Sequence, residues 1–422
     1  MKQLFIRGLI IILILIILII SMNAWFNTKK QKTIKVLWWG SQSRHDITLK
    51  VIEMFEAKYP NIKVEPIYTS FSGYFEKLTT LSAGNDLPDV YRLRIQDIPQ
   101  WSSKGQVADL KKISTINGLK GMDKSAIEVG MIGNKLYGAC TGVNALAFAY
   151  DEDMFQKAGV SIPDDTKWAW DNFEEICNTI YDKLNIWGTG NFAQEQFEIY
   201  AREKGEMLYS KDLKSVGFKP KSFEEFMTIC LRLQSSGGME PLKVALETQS
   251  NEEASSYAKG QCAMRPIWSN KVVGVTKTKG KDSKLLMFPG PNNDKGMYVK
   301  PSMFMCIGET SKMKKEAGTF INFFLFDIEA NKIINSDLGI SSVEAVRNAL
   351  KPDLDSQNKF IFDYISKVGK YSTRPMDANF PEKANEARNA LQDTMWEVYH
   401  ETISPKEAGE KCVKRMNDIL SR

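Results

Sequence analysis

The stretch IKVLWWGSQSRHDITLKVIEMFEAKYPNIKVEPIYTSFSGYFEKLTTLSAGNDLPDVYRL, from Ile34 to Leu93, decides the fold. Its apolar residues follow strand spacing and helix spacing in turn, which predicts strand, helix, strand, helix and strand. Val51 and Phe55 lie on one face of the first helix, which ends before Pro60. We therefore expect a βαβαβ unit with a parallel sheet, in an α/β fold.

No phosphate-binding glycine loop joins the first strand to the first helix, although nucleotide-binding units of this type usually have one. Aromatic and short polar side chains occupy this place and suit a neutral or acidic sugar better than a nucleotide. Trp38 and Trp39 point to opposite faces of the strand, so we expect one in the core and favour Trp39 for the binding site. Further candidate ligand residues follow in the loop: Gln42, Arg44, His45 and Asp46. The alternative for Arg44, His45 and Asp46 is an exposed helix start capped by Asp46.

The rest of the chain keeps α/β periodicity. Residues 135–150 predict two strands with a glycine-marked bend, which suits a crossover between domains. Trp168 and Trp170 are expected in the core. Helices are predicted at 254–260, 312–326, 328–336, 382–399 and 405–420, and a buried strand at 261–268.

The N-terminus determines where the protein works. Lys2 and Arg7 precede an apolar run from Gly8 to Met22, whose length lies between that of a secretory signal and that of a membrane-spanning helix. Residues 1–26 are predicted as a signal or anchor segment and 27–33 as a linker. Cleavage near Ala24 would release the protein, whereas retention would tether it; we favour retention because the cleavage site is weak. Either outcome predicts export.

Composition excludes several classes of function. The chain has 56 basic and 51 acidic residues, with a formal net charge of +5 and no long basic block, so nucleic acid is not an expected partner. The six cysteines are scattered without a Cys-x-x-Cys pair, so we expect buried free thiols and no metal site. No cofactor is expected.

Motifs for catalysis are absent from the sequence. It contains no Gly-x-Ser-x-Gly elbow, no His-Glu-x-x-His and no Walker loop, and its two histidines are His45 and His400. The stretch from Gly188 to Ala193 faintly matches a dinucleotide fingerprint but lacks a clear βαβ frame. We therefore predict a binding protein with no catalytic residue.

Several segments together resemble the extracellular solute-binding proteins of ABC sugar importers, the class that includes maltodextrin-binding protein. They are FEAKYPNIKV at 55–64, AGNDLPDV at 83–90, NKLYGACTGVNALAFAYDEDMFQKAGVSIP at 134–163, WAWDNFEEI at 168–176, YAKGQCAMRPIWS at 257–269 and SKMKKEAGTFINFFLFDIEAN at 311–331. The usual lipid-attachment cysteine after the apolar run is missing, so the expected tether is the retained apolar segment itself.

The resemblance implies two α/β lobes joined by two or three crossing segments, with the ligand closed between them. We assign 34–143 and about 271–335 to the N-terminal lobe, and 144–270 and about 336–422 to a mostly helical C-terminal lobe. The expected ligand residues outside the first loop are Tyr74, Arg92, Arg94, Asn144, Trp268, Ser269 and Arg374. Tyr74 could equally pack under the sheet.

This resemblance also implies a function. We expect a protein at the extracellular face of the cytoplasmic membrane of a bacterium, a monomer, that binds an oligosaccharide and delivers it to the transmembrane subunits of an ABC permease. The alternative is a sensory sugar-binding protein that signals to a chemoreceptor or histidine kinase.

A carboxylate on the ligand is a further hypothesis. Arg44, Arg92, Arg94 and Arg374 come from segments expected to reach the cleft, and guanidinium groups pair with carboxylates in a bidentate way. A uronic-acid oligosaccharide would satisfy this chemistry. The alternative is that these arginines bind the hydroxyls of a neutral sugar or are simply solvated.

Overall fold

Two apolar cores organise the chain. The computed structural model describes residues 31–116, 119–248, 251–374, 376 and 379–422. One core contains buried residues from 34–140 and 303–354, and we call this part the first lobe. The other contains buried residues from 145–298 and 361–420, together with Ile340, and we call it the second lobe. The predicted two-lobed α/β fold is confirmed.

Four of the described strands have seven or eight residues, and the others have two to four. In chain order they are β1 Lys32–Trp39, β2 Ile62–Thr69, β3 Val90–Leu93, β4 Met131–Ile132, β5 Lys135–Leu136, β6 Ala139–Cys140, β7 Val143–Tyr150, β8 Trp187–Thr189, β9 Met207–Tyr209, β10 Val216–Gly217, β11 Cys262–Trp268, β12 Lys284–Leu286, β13 Val299–Pro301 and β14 Phe304–Ile307.

The helices cover the faces of the sheets. They are α1 Gln42–Lys58, α2 Phe71–Ala83, α3 Ile98–Ser103, α4 Lys124–Glu128, α5 Glu152–Ala158, α6 Trp170–Leu184, α7 Gln194–Glu203, α8 Pro220–Ser235, α9 Leu242–Glu247, α10 Val272–Lys279, α11 Asn293–Gly296, α12 Lys314–Phe326, α13 Ile328–Ile334, α14 Glu344–Leu350, α15 Ser356–Tyr371, α16 Ala384–Tyr399 and α17 Pro405–Leu420. The helix predicted at 254–260 is wrong, because only the 3-10 turn Glu252–Ala254 and further turns lie there.

The first-lobe sheet has the order β2-β1-β3-β14-β6. Strand β1 lies parallel to both β2 and β3, which confirms the predicted βαβαβ unit. Because helices cover both faces of this sheet, the second half of β1 is apolar, and its residues from Val36 to Trp39 are all buried. The parallel arrangement brings the carboxyl ends of β1, β2 and β3 to one edge, which faces the second lobe.

The second-lobe sheet is built around β7. Strands β11, β12 and β13 all pair with β7 antiparallel, and β8 extends the sheet by pairing parallel to β11. Phe148 of β7 stacks against Phe173 of α6, with ring centroids 5.0 Å apart. Trp168 and Trp170 are buried in this core, as the sequence indicated.

Within the described residues, the chain passes between the lobes three times: between β6 and β7, between β13 and β14, and between Leu354 and Ile361. At the first crossing, the N–H of Val143 donates to the carbonyl of Ile340 at 2.8 Å, and the N–H of Ile340 donates back at 3.0 Å. The second crossing lies beside it, since the N–H of Ser302 donates to the carbonyl of Gly142. These neighbouring crossings form the hinge between the lobes.

The predicted lobe boundaries need correction in their second halves. Residues 272–298 pack in the second core, because α10 follows directly from β11 and β12 pairs with β7. Residues 338–354 pack mainly in the first core, through Leu338, Val343 and Leu350. The chain therefore returns to the first lobe at about residue 303 and leaves it after about 354, some 20 to 30 residues later than expected.

The apolar run near the N-terminus and most of the linker lie outside the described residues. Among the residues that the structure describes, no helix is long and apolar enough to cross a membrane. All six cysteines are described, buried and unpaired, as the sequence predicted.

Gly142→Ala should destabilise the protein, because a Cβ at this hinge position would lie 2.7 Å from the carbonyl oxygen of Ile340 and 2.9 Å from that of Leu338. We expect a loss of about 1–3 kcal/mol in the free energy of unfolding, measured by urea denaturation. Gly369→Ala in α15 is the control, since its Cβ would meet nothing closer than 3.8 Å. It should be neutral or slightly stabilising, and equal stability of the two variants would contradict the hinge packing.

Candidate functional site: the cleft between the lobes

A cavity of about 580 Å³ lies between the lobes, and we call it the interlobe cavity. The first lobe contributes residues from α2, from the turn after β3 and from α3, and the second lobe contributes the N-terminal ends of α7 and α16. Residues that line it include Phe71, Phe75, Arg94, Gln96, Gln100, Gln194, Glu195, Asn385, Arg388 and Asn389. Aromatic rings, amides and charged groups therefore face the same space from both lobes.

Arg94 holds the first-lobe wall of this cavity. Its Nε and Nη2 donate to the two carboxylate oxygens of Asp97, each at 2.8 Å, and its guanidinium lies 4.5 Å from the centre of the Phe75 ring. Its Nη2 also donates to the side-chain oxygen of Asn385 in the second lobe at 2.9 Å. Asn385 in turn donates to Asp97 at 2.6 Å. Asn385 thus bridges the two lobes.

The second-lobe wall contains a buried ion pair. Arg388 donates to Glu198 at 2.9 Å and lies 3.8 Å from Glu195. Burial alone would raise the pKa of Glu198, but the charges of Arg388 and Lys300, with the hydrogen bond from Arg388, together outweigh it and the pKa is lowered. Tyr298 donates its hydroxyl to the same carboxylate at 3.2 Å. Glu198 is therefore charged and fully engaged.

Lys300 is a site residue that the sequence analysis missed. It lies on β13, and its Nζ sits 4.6 Å from the centre of the Trp268 ring. Burial, and then the charge of Arg388, lower its pKa to about 8. Arg94 acts on it from across the cleft in the same direction. A lone lysine within the apolar run MYVKPSMFMCI is the signal that could have identified it.

The polar side chains at the start of α1, just after β1, make hydrogen bonds to other groups of the protein. Gln42 donates to Asp46 at 2.8 Å, and both side chains are exposed. Arg44 donates to the carboxylate of Asp337 at 2.6 Å and to its carbonyl at 2.7 Å. Since Asn270 of the second lobe donates to that carbonyl at 3.3 Å, the start of α1, where a loop was predicted, takes part in a second bridge between the lobes.

His45 is buried rather than open to a ligand. Its ring lies 4.5 Å from that of Tyr68, and burial, followed by the charge of Arg44, lowers its pKa. The predicted cap role of Asp46 is wrong, because the structure gives α1 the N-cap Ser41.

Three predicted ligand residues belong to the first core instead. Tyr74 is fully buried, where its hydroxyl donates to the carbonyl of Arg92 and accepts from its N–H, both at 2.8 Å. Trp39 is 6% exposed and packs against Tyr74 with ring centroids 4.6 Å apart. Arg92 is buried with its guanidinium 5.5 Å from the Phe324 ring. These corrections share one cause: helices cover both faces of this sheet.

The other predicted ligand residues lie in different places, some partly exposed and some buried. Trp268 is partly exposed and lies beside Lys300, whose ammonium group interacts electrostatically with the cavity-lining Arg388 and Arg94. Ser269 is buried, donates to Asn144 at 3.3 Å and accepts from the N–H of Ala145, so this pair supports the strand end that carries Trp268. Arg374 donates to the carbonyl of Glu206 at 2.6 Å, within the second lobe. The structure therefore places Arg94, Asn385 and Arg388 at the interlobe cavity. Lys300, which contacts Trp268, lies within electrostatic range of Arg388.

A second hollow, of about 540 Å³, belongs to the first lobe alone. Lys58, Phe323 and Asp327 are among its lining residues, and Lys58 pairs with Asp327 at 2.7 Å. It shares no residue with the interlobe cavity.

Two α/β lobes around a cleft at the carboxyl ends of their strands are the architecture of a binding protein that closes on a solute. The family model described as bacterial extracellular solute-binding protein matches residues 50–347, and the chain belongs to this family. The family is one of substrate-binding proteins, not of enzymes.

Individual proteins are also similar to this chain. An uncharacterized lipoprotein of Streptomyces antibioticus is 24% identical over 285 residues, which are 66% of this chain and 63% of the relative. The chain therefore spans less than two thirds of the length of that curated relative. A family 1 extracellular solute-binding protein from Alicyclobacillus acidocaldarius is 25% identical, with a TM-score of 0.68 over 92% of this chain and 98% of the other.

The third relative is a periplasmic oligogalacturonide-binding protein from Yersinia enterocolitica, solved with saturated digalacturonic acid. It is 21% identical, with a TM-score of 0.81 over 92% of this chain and 100% of the other. At this identity the likeness concerns the fold.

Asn385→Ala should loosen the lobes in the absence of ligand, because Asn385 contacts both Arg94 and Asp97 across the cleft. Hydrogen bonds to charged groups contribute about 1.5–3 kcal/mol, enough to shift an open–closed equilibrium. Small-angle X-ray scattering should give a larger radius of gyration than for the wild type. Asn389→Ala is the control, because Asn389 lines the same cavity but is exposed. This substitution should leave the radius of gyration unchanged. An unchanged radius for Asn385→Ala would contradict the bridging role.

Proposed function

We propose that this protein captures an extracellular oligosaccharide in the interlobe cavity and delivers it to an ABC permease. The observation that carries this proposal is the composition of the cavity walls. Phe71 is 46% exposed at the cavity, and Gln96, Gln100, Gln194 and Asn389 offer uncharged donors and acceptors. Sugars need both an apolar surface for the ring face and many polar partners for the hydroxyls.

Closure of the lobes would complete the site. The bridges through Asn385 and Asn270 are short polar contacts that form only when the lobes are close together. A ligand that contacts both walls adds to these bridges and shifts the population towards the closed form. The closed form is then what the transmembrane subunits of the permease recognise.

We propose further that the protein is a monomer at the outer face of the cytoplasmic membrane. The apolar run from Gly8 to Met22 supports export and tethering, and the Streptomyces antibioticus relative is described as a lipoprotein. A monomer suffices because one chain supplies both walls of the cavity.

A thermal-shift screen of the protein against neutral and acidic oligosaccharides tests the proposal. A ligand at 100 times its dissociation constant should stabilise the protein by about 2.7 kcal/mol. A panel in which no oligosaccharide raises the melting temperature would contradict the proposed function.

Phe71→Ala should weaken the best sugar from this screen about two- to tenfold in calorimetry, as expected for the loss of one stacking aromatic. Ile328→Ala is the matched control, because Ile328 is also apolar and 40% exposed but lies outside the interlobe cavity. Equal effects of the two substitutions would argue against binding in the interlobe cavity.

A further inference from the structure

The positive charges of the cleft differ in what neutralises them. Arg94 has the carboxylate of Asp97, and Arg388 has those of Glu198 and Glu195. Outside the cavity, Arg44 has Asp337. Each of these guanidinium groups therefore already has a counter-ion, and a ligand carboxylate would have to compete with it.

Two lysines at the cleft have no such carboxylate partner among the described residues. Lys104 lines the cavity but is exposed to solvent, whereas Lys300 is only partly exposed. Within the described part of the chain its ammonium makes no hydrogen bond and no ion pair; what it contacts is the face of Trp268. The carboxylates that act on it from a distance, Glu198 and Glu195, are shared with Arg388. Lys300 is partly buried. Because burial of an ammonium group without an ion-pair partner is costly, an anion at this place would reduce the cost.

The position of Lys300 also suits a sugar. Lys300 lies opposite Asn144 in the pairing of β13 with β7, next to the partly exposed Trp268, and it senses the charge of Arg94 from the first lobe. A sugar ring against Trp268 would place a substituent within reach of the ammonium group. This substituent would lie between the two lobes.

We propose that the Lys300 ammonium group, together with the face of Trp268, binds the carboxylate of an acidic sugar, so that the ligand is a uronic-acid oligosaccharide. The inference rests on the proposed function and names the chemical class of its ligand. It replaces the arginines favoured from the sequence by a lysine that has no counter-ion of its own.

Calorimetry with digalacturonic acid and with its dimethyl ester tests the inference, since the ester keeps the size of the ligand and removes its charge. Lys300→Met should weaken digalacturonic acid about 10- to 100-fold, the range for a hydrogen bond to a charged group. The ester should change less than about threefold. Lys295→Met, at an exposed lysine of the same lobe, is the control and should leave both ligands unchanged.

The pH profile gives a second readout. Because the pKa of Lys300 is about 8 without ligand, the affinity for digalacturonic acid should fall as pH rises above 8, when the free protein loses the proton. The charged groups that face Lys300 are Arg388, Arg94, Glu198 and Glu195, and none of these residue types titrates between pH 7 and 9. Lys300→Arg should retain binding of the acid and abolish this fall.

The outcomes separate the two proposals. Selective loss of the acid in Lys300→Met, with a wild-type melting temperature, supports the inference. If the wild type binds neutral oligosaccharides tightly and digalacturonic acid no better than its ester, the inference is overturned and the proposed function stands. If neither acidic nor neutral oligosaccharides bind the wild type, both are overturned.

Discussion

The neighbouring crossings between the lobes limit where a ligand can bind. They hold the carboxyl ends of β1, β2 and β3 opposite the second lobe. At the first crossing, Val143 and Ile340 exchange two backbone hydrogen bonds. Because the two cores are built from different parts of the chain, each lobe is stable in its own packing and the cleft can open without disrupting either. The two cores thus stabilise the protein, whereas the walls that face each other across the cleft bind the ligand.

Charge pairing distinguishes structural cations from a binding cation. Arg94 and Arg388 shape the walls because carboxylates on their own lobes orient them. Lys300 has the π face of Trp268 instead of a carboxylate, and such a contact is weaker than a buried ion pair. The walls of the cleft are therefore charged and held in place by ion pairs, while the partly buried ammonium group of Lys300 has no counter-ion and can be neutralised by an anionic ligand.

Much of the fold could be predicted from local sequence. The apolar run of β1 and the helical spacing of Val51 and Phe55 are short-range signals, and they gave the βαβαβ unit correctly. The lobe assignment of 272–298 was not a local property, because it depends on the pairing of β12 with β7, more than 130 residues away in the chain.

The site was harder to predict than the fold. Trp39 and Tyr74 have the composition of sugar-binding residues, yet tertiary packing buries them. Arg94 lines the interlobe cavity and Trp268 is partly exposed, but their partners Asn385 and Lys300 come from distant segments. Sequence spacing does not reveal whether an arginine already has a carboxylate partner, and this determines what remains available for a ligand.

A crystal structure with the oligosaccharide that gives the largest thermal shift is the most direct test that the interlobe cleft is the binding site. We predict that the sugar lies between the lobes, in contact with Phe71 or Trp268 on opposite walls, with the bridge through Asn385 retained. A sugar bound instead in the first-lobe hollow lined by Lys58 and Phe323, with an empty interlobe cleft, would contradict the account.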